Sequence, residues 1–164
     1  MNNPLKNSFR IQIKSLTLFE FQDFITELFM LRYGSENYIA PREIKDKGAD
    51  GIINSSKTLI ACYGPKIIDK RKYLKKIQDD FNSYSDYWRA DYKNWMFVTN
   101  NDIPEYGIKK INNLKPDASP IGVKNLLQFI EELSGSQKRK IGEYLNISED
   151  LFARDYLKEL TEDL

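Results

Sequence analysis

The chain contains no histidine. That absence removes the commonest general base, the Ser-His and Cys-His triads, and nearly every zinc site. Any catalysis falls to carboxylates, lysine or tyrosine. The single cysteine, Cys62, cannot form an internal disulfide and suits a reducing cytoplasm. Charge of one sign is also missing: 25 Lys plus Arg stand against 24 Asp plus Glu, a formal net charge of +1. No overall basic field demands a polyanion, so any nucleic-acid contact must come from a local patch. The opening stretch MNNPLKNSFRIQIK lacks an apolar signal core, and no run of about 18 apolar residues occurs. Neither export nor membrane insertion is expected, and the expected location is cytoplasmic.

What is present is a chain of 164 residues, enough for one domain with its own core. Helix and strand patterns alternate along it. Thr17 followed by Glu20 fits a capping box opening an amphipathic helix, with Phe21, Phe24, Ile25, Leu28 and Phe29 at helical spacing and Gly34 as its C-terminal cap. NYIAPREIK is ambiguous, because Pro41 limits it to an edge or bent strand. GIIN and KTLIACY, joined by Asn54-Ser55-Ser56, predict a hairpin that Gly64-Pro65 ends. Leu74, Ile77, Phe81, Tyr84 and Trp88 then predict one long helix from about Asp69 to Tyr92. WMFVT reads as a buried central strand. A helix near Ile103 to Leu114, a short extended piece near Pro120 to Val123 and a helix carrying Leu126, Leu127, Ile130 and Leu133 follow.

The last stretch changes character. SGSQKRKIGEYLNIS and EDLFARDYLKELTEDL predict two small amphipathic helices, the second capped by Ser148. Leu151, Phe152, Tyr156, Leu157, Leu160 and Leu164 form an apolar face that either covers this domain's own core or docks a partner. The expected division is therefore 1–133 for the main domain and 134–164 for a C-terminal helical extension. The acidic end LKELTEDL reads as an unfinished helix, so the chain is expected to belong to a longer protein.

Three residue groups carry candidate chemistry. GADG places Asp46 and Asp50 around a tight turn, where Asp either caps backbone N–H groups or presents a carboxylate to a metal. Lys66, Lys70, Arg71, Lys72, Lys75 and Lys76 crowd the start of the long helix. They cannot share one helical face, so part of the run is ordinary solvated surface and part can contact phosphates, with Arg42, Lys45 and Lys47 extending the patch. The dense aromatics from Phe81 to Phe97 mostly continue the core stripe, which leaves Tyr87 and Tyr92 as an exposed pair for base stacking. Cys62 reads as a buried, inert thiol.

The ordered series FQDFITELFMLRYG, KDKGADGII, LIACYGPK, KKIQDDFNSYSDYW and WMFVTN, over about residues 16 to 100, resembles the restriction-endonuclease-like PD-(D/E)XK superfamily. Within it the likeness is to Mrr-like domains and to nuclease-like modules of bacterial conflict systems, including the ABC three-component group. The resemblance implies an α/β (α+β) fold with a central mixed sheet of about four strands flanked by helices. It also implies that Asp50 is the strand-end metal ligand, for Mg²⁺, and that an acid or Gln on the next strand and a Lys two positions later complete the site. Those two positions hold Ala61 and Tyr63, and the first-helix acid falls on Gln22, with Glu20 nearby.

Two functions follow from the resemblance. One is a degenerate, inactive nuclease-like module for DNA binding or complex assembly in anti-phage defence. It would hold DNA through Lys47, Lys66, Lys70, Arg71, Lys72 and Lys75, and a protein partner, such as an ATPase component, through the C-terminal helices. The alternative is an active Mg²⁺-dependent endonuclease whose relocated site draws on Asp50, Glu20 or Glu43, Asp46 and Lys66.

Overall fold

Asn2 and Pro4 start a helix that the apolar pattern alone does not announce. In the computed structural model, which describes residues 1–40 and 47–162, α1 (Asn3–Ser15) opens with the Asn2 side chain accepting from the Leu5 N–H. Its Leu5, Phe9 and Ile13, four residues apart, form one buried stripe. In α2 (Leu18–Tyr33) all five expected apolar residues, Phe21, Phe24, Ile25, Leu28 and Phe29, are buried, and Gly34 caps the end at φ 85°. The expected capping box does not form. Thr17 makes no side-chain capping bond, and Leu18 stands in the left-handed region at φ 53°. That conformation costs a non-glycine residue about 1 kcal/mol or more, and it turns the Leu18 N–H onto the Gly64 carbonyl at 2.8 Å.

The strands form one sheet in the order β1-β2-β3-β4-β5. β1 (Tyr38–Ile39) pairs antiparallel with β2 (Gly51–Ile53), and β2 with β3 (Thr58–Tyr63) across the expected hairpin. α3 (Lys70–Tyr87) leads to β4 (Asn94–Thr99), parallel to β3. α4 (Glu105–Leu114) leads to β5 (Ser119–Ile121), parallel to β4. The fold is thus α/β with a mixed sheet, as expected. The sheet has five strands where about four were expected, because the ambiguous stretch before Pro41 contributes the short edge strand β1.

α5 (Val123–Glu131), α6 (Gly135–Tyr144) and α7 (Glu149–Glu162) complete the chain. Side chains along β3 alternate between two cores, as strand periodicity requires. Ile60 and Cys62 join α1, α2, α5, α6 and α7, while Leu59, Ala61 and Tyr63 join α3 and α4. The buried stripe of α3 is Tyr73, Ile77, Asp80 and Tyr84, with Leu74, Phe81 and Trp88 only half-buried.

Ile141, Leu145, Ile147 and Phe152 from the C-terminal helices pack into the α1–α2–α5 core, where Phe152 meets Phe9 edge-on at 6.0 Å. Ser148 accepts from the Asp150 N–H as expected. The rest of the predicted apolar face divides: Leu151 is half-buried, Tyr156, Leu157 and Leu160 face outward, and Leu164 lies outside the described residues. Among the described residues no helix is long and apolar enough to cross a membrane.

Candidate functional site

Because β2 and β3 run antiparallel, the start of β2 and the end of β3 meet at one end of the sheet. Asp50 precedes β2 there. Its N–H donates to the Ile60 carbonyl at 2.8 Å, and beyond that pair its side chain takes over from the backbone ladder. Asp50 Oδ2 accepts from the Cys62 N–H at 2.7 Å, and Oδ1 accepts from Gln22 Nε2 at 2.8 Å. One carboxylate therefore satisfies a backbone donor that would otherwise be stranded and ties α2 to the hairpin. Gly51 follows because a Cβ there would run into the Tyr38 hydroxyl.

The first turns of two helices come to the same end. Leu18 N–H bonds the Gly64 carbonyl just after β3, and residues 64–69 lead directly into α3. Leu18 and Gln22 are one helical turn apart on α2, and Lys72 and Lys76 are one turn apart on α3. Gln22 holds Asp50, and the charge of Asp50 reaches Lys76.

Lys76 and Asp80 are functional candidates that sequence reasoning missed as a pair. Lys76 Nζ donates to Asp80 Oδ1 at 2.9 Å; the lysine side chain is 37% exposed and the aspartate side chain 9%. Among the described residues Asp80 Oδ2 is buried without a hydrogen-bond partner. Burial pushes the Asp80 carboxyl up to about 6 against the opposing pull of Lys76, and Asp50 adds to the rise. Burial disfavours the Lys76 ammonium, but Asp80 and then Asp50 outweigh it and hold its pKa above the ordinary lysine value. The two shifts agree once depth is considered: the carboxylate is the more buried partner and bears the larger desolvation cost. The signal lay in phase with Tyr73, Ile77 and Tyr84, where residue 80 falls on the buried face and Lys76 stands one turn before it.

The other predicted residues scatter. Glu20 is exposed and acts on Tyr144 together with Asp23 and Glu27, which places it on the α6 side of α2, away from Gln22 and Asp50. Lys66, Lys70, Arg71 and Lys72 are exposed around the start of α3, with Lys70 over the Tyr106 ring at 5.4 Å. Lys75 is engaged with Asp79 at 2.5 Å. Lys47 stands over Tyr87 at 4.8 Å, and its carbonyl accepts from Trp88 Nε1, so it sits at the far end of α3, about 25 Å from Lys70. Lys47 and the residue 66–72 cations do not form one patch. Tyr87 is exposed, whereas Tyr92 is half-buried beside Trp88. Arg42, Glu43, Lys45 and Asp46 lie outside the described residues.

Ala61 and Tyr63, at the positions where the resemblance implies a second ligand and a lysine, are packing residues. Ala61 is fully buried in the α3-side core with Tyr73 and Phe97, and the Tyr63 ring meets Tyr73 edge-on at 5.0 Å. Cys62, expected to be buried, is half-buried as a residue, yet desolvation of its thiol and then Asp50 push the pKa well above the ordinary value. Among the described residues no group of three His, Cys, Asp or Glu is placed to hold a metal ion. A hydrated Mg²⁺ wants one or two carboxylates with free oxygen lone pairs. Here Asp50 accepts from an amide on one oxygen and from a backbone N–H on the other, and Asp80 pairs with Lys76 through Oδ1. Glu43 and Asp46, the other carboxylates considered for Mg²⁺, lie outside the described residues.

Comparison with known proteins finds no family model that matches the chain, and no curated protein and no solved structure that matches it.

Proposed function

We propose that the chain is a nuclease-like domain that holds nucleic acid without hydrolysing it. The order of elements from α2 to α5, with an aspartate at the start of β2, supports the likeness to restriction-endonuclease-like domains. The observation that carries the loss of catalysis is the burial of Ala61 against Tyr73 and Phe97, with Tyr63 packed on Tyr73. A ligand and a catalytic cation at those positions would have to occupy an aromatic core. Two features support binding. Lys66, Lys70, Arg71 and Lys72 surround the first turn of α3, and the N–H groups of that turn carry partial positive charge. Such a module has a natural use in a bacterial defence or conflict system, where the outward Tyr156, Leu157 and Leu160 of α7 offer a face for a protein partner.

One observation favours the alternative of a relocated hydrolytic site: Lys76 brings a cation toward Asp50, as charge on a phosphate would require. A cleavage assay separates the two readings. Supercoiled plasmid and single-stranded DNA are incubated with Mg²⁺ or Mn²⁺, with Asp50→Ala as control. No cleavage is expected; cleavage that Asp50→Ala abolishes would overturn the proposal.

A further inference from the structure

Four large apolar side chains crowd the rim of the same end of the molecule. Phe19 and Ile67 are each 79% exposed, Leu18 is 59% and Ile68 is 44% exposed. They come from two segments, the first turn of α2 and the loop between β3 and α3, and the fold fastens those segments together. The buried Asn100 donates through Nδ2 to the Leu16 carbonyl at 2.6 Å and to the Pro65 carbonyl at 3.2 Å. Leu18 N–H adds its bond to Gly64 at 2.8 Å, made from a left-handed backbone at φ 53°. A Cβ on Gly64 would meet Phe21 Cβ at 2.8 Å, so the loop can approach α2 this closely only with glycine there. Exposed apolar residues held on a pinned, strained turn are the reverse of a surface relaxing to hide them.

The surroundings select the partner. Lys66 lies beside Ile67, and Lys70, Arg71 and Lys72 follow Ile68 on the first turn of α3. Asp69 spends its carboxylate capping the Lys72 N–H at 2.9 Å, and Glu20 stands with Asp23 and Glu27 on the α6 side of α2. Protein interfaces are depleted in lysine near their centres. An apolar tip bordered by cations instead matches a polyanion that has apolar surface inside it. Nucleic acid has this character: phosphates outside, base faces exposed wherever the stack opens. Phe, Leu and Ile are the side chains that enter opened base steps.

We propose that Leu18, Phe19, Ile67 and Ile68 form an apolar wedge that seats against unstacked bases at an unpaired or kinked position in DNA, while the cations at the start of α3 hold the flanking phosphates. The inference rests on the nucleic-acid reading above. It assigns that reading a preference for distorted over regular duplex. Leu18 is one turn from Gln22, so the opened step lies next to Asp50.

The test compares fluorescein-labelled duplexes that are identical except for a central two-nucleotide bulge, titrated with the whole chain and followed by anisotropy. A 2-aminopurine beside the bulge reports unstacking. The chain should bind the bulged duplex at least about tenfold tighter than the intact one and raise 2-aminopurine emission. Phe19→Ser and Ile67→Ser, both at highly exposed positions, should bring that preference close to unity. Intact-duplex affinity should stay within about twofold and its salt dependence should not change. Equal affinity of the unaltered chain for both duplexes, or a preference that survives both substitutions, would overturn the wedge and leave nucleic-acid binding standing. Absence of binding to either duplex would remove the underlying reading as well. Vesicles of phosphatidylcholine with phosphatidylserine form the remaining arm: binding there that Phe19→Ser abolishes, without any preference for the bulge, would assign the apolar rim to a lipid surface and overturn the proposal.

Discussion

Gln22 donates its side-chain amide to Asp50 Oδ1 at 2.8 Å, joining the second helix to the hairpin across 28 residues of sequence. The other oxygen of the same carboxylate receives the Cys62 N–H. Asp50 is thereby part of the wiring of the fold, whatever else it does. Asp50→Ala strands the Cys62 N–H and should cost about 1–3 kcal/mol, while Gln22→Ala should cost about 1 kcal/mol. The double variant should lose less than the sum, since both remove one shared bond. Urea unfolding of the three variants measures this, and strict additivity would mean that the bond contributes nothing.

Asp80 should make stability depend on pH in the unusual direction for an acid. Its pKa, pushed up to about 6 by burial, lies above the ordinary aspartate value of about 3.9. The folded state then binds the proton more tightly than the unfolded chain. The stabilisation is fully present below about pH 3.9 and is lost as pH rises through about 6, an effect of up to about 3 kcal/mol. Asp80→Asn removes it. The stability of Asp80→Asn relative to the unaltered protein should therefore rise between pH 4 and pH 7, read from urea midpoints across that range. A difference that stays flat with pH would show Asp80 to titrate like an exposed carboxylate.

Much of this architecture is readable from apolar spacing, and the departures have identifiable causes. Phe21, Phe24, Ile25, Leu28 and Phe29 announce α2 because five apolar residues on one stripe leave no other use for them. α1 escaped because its stripe is only Leu5, Phe9 and Ile13 within a polar stretch, although Asn2 and Pro4 mark its start. On α3 the inner face reads one residue out of register: Leu74 and Phe81 look more apolar than Tyr73 and Asp80, yet Tyr73 and Asp80 are the buried ones. The exchange works because Lys76 pairs with Asp80 and Tyr73 donates its hydroxyl to Asn101 at 3.1 Å. An apolar scale scores neither partnership. The same blindness hid the Lys76–Asp80 pair, since Lys76 reads as one more member of a basic run until its depth is known. Lys47 shows the opposite case, a cation close to the hairpin in sequence but carried to the far end of α3 by its contact with Tyr87.

Cys62 should be a poor nucleophile. Burial and the neighbouring Asp50 both hold its thiol above the ordinary pKa, and no cation outweighs them. With Ellman's reagent at pH 8 the native protein should react far more slowly than the protein in urea. Equal rates would place the thiol in open solvent.

Among the described residues of α7 only Phe152 is buried. A Cβ on Gly142 would run into the Phe152 side chain, which also meets Phe9 at 6.0 Å. Phe152→Ala should cost about 3 kcal/mol and speed hydrogen exchange across α7 more than across α3. Gly142→Ala should destabilise the unaltered protein but cost much less in the Phe152→Ala background, where its new methyl group has room. Equal costs in both backgrounds would separate Gly142 from the docking of α7.

The most direct test of nucleic-acid binding without hydrolysis is equilibrium binding of an intact labelled duplex in EDTA over a series of salt concentrations. The unaltered chain should bind with an affinity that falls steeply with salt. Replacing Lys70, Arg71 and Lys72 together by Gln should lower the magnitude of the log–log slope by about 0.9 for each phosphate no longer neutralised, whereas Lys47→Gln and Lys75→Gln should leave it nearly unchanged. A slope that all these variants share with the unaltered chain, or no measurable binding at low salt, would contradict it.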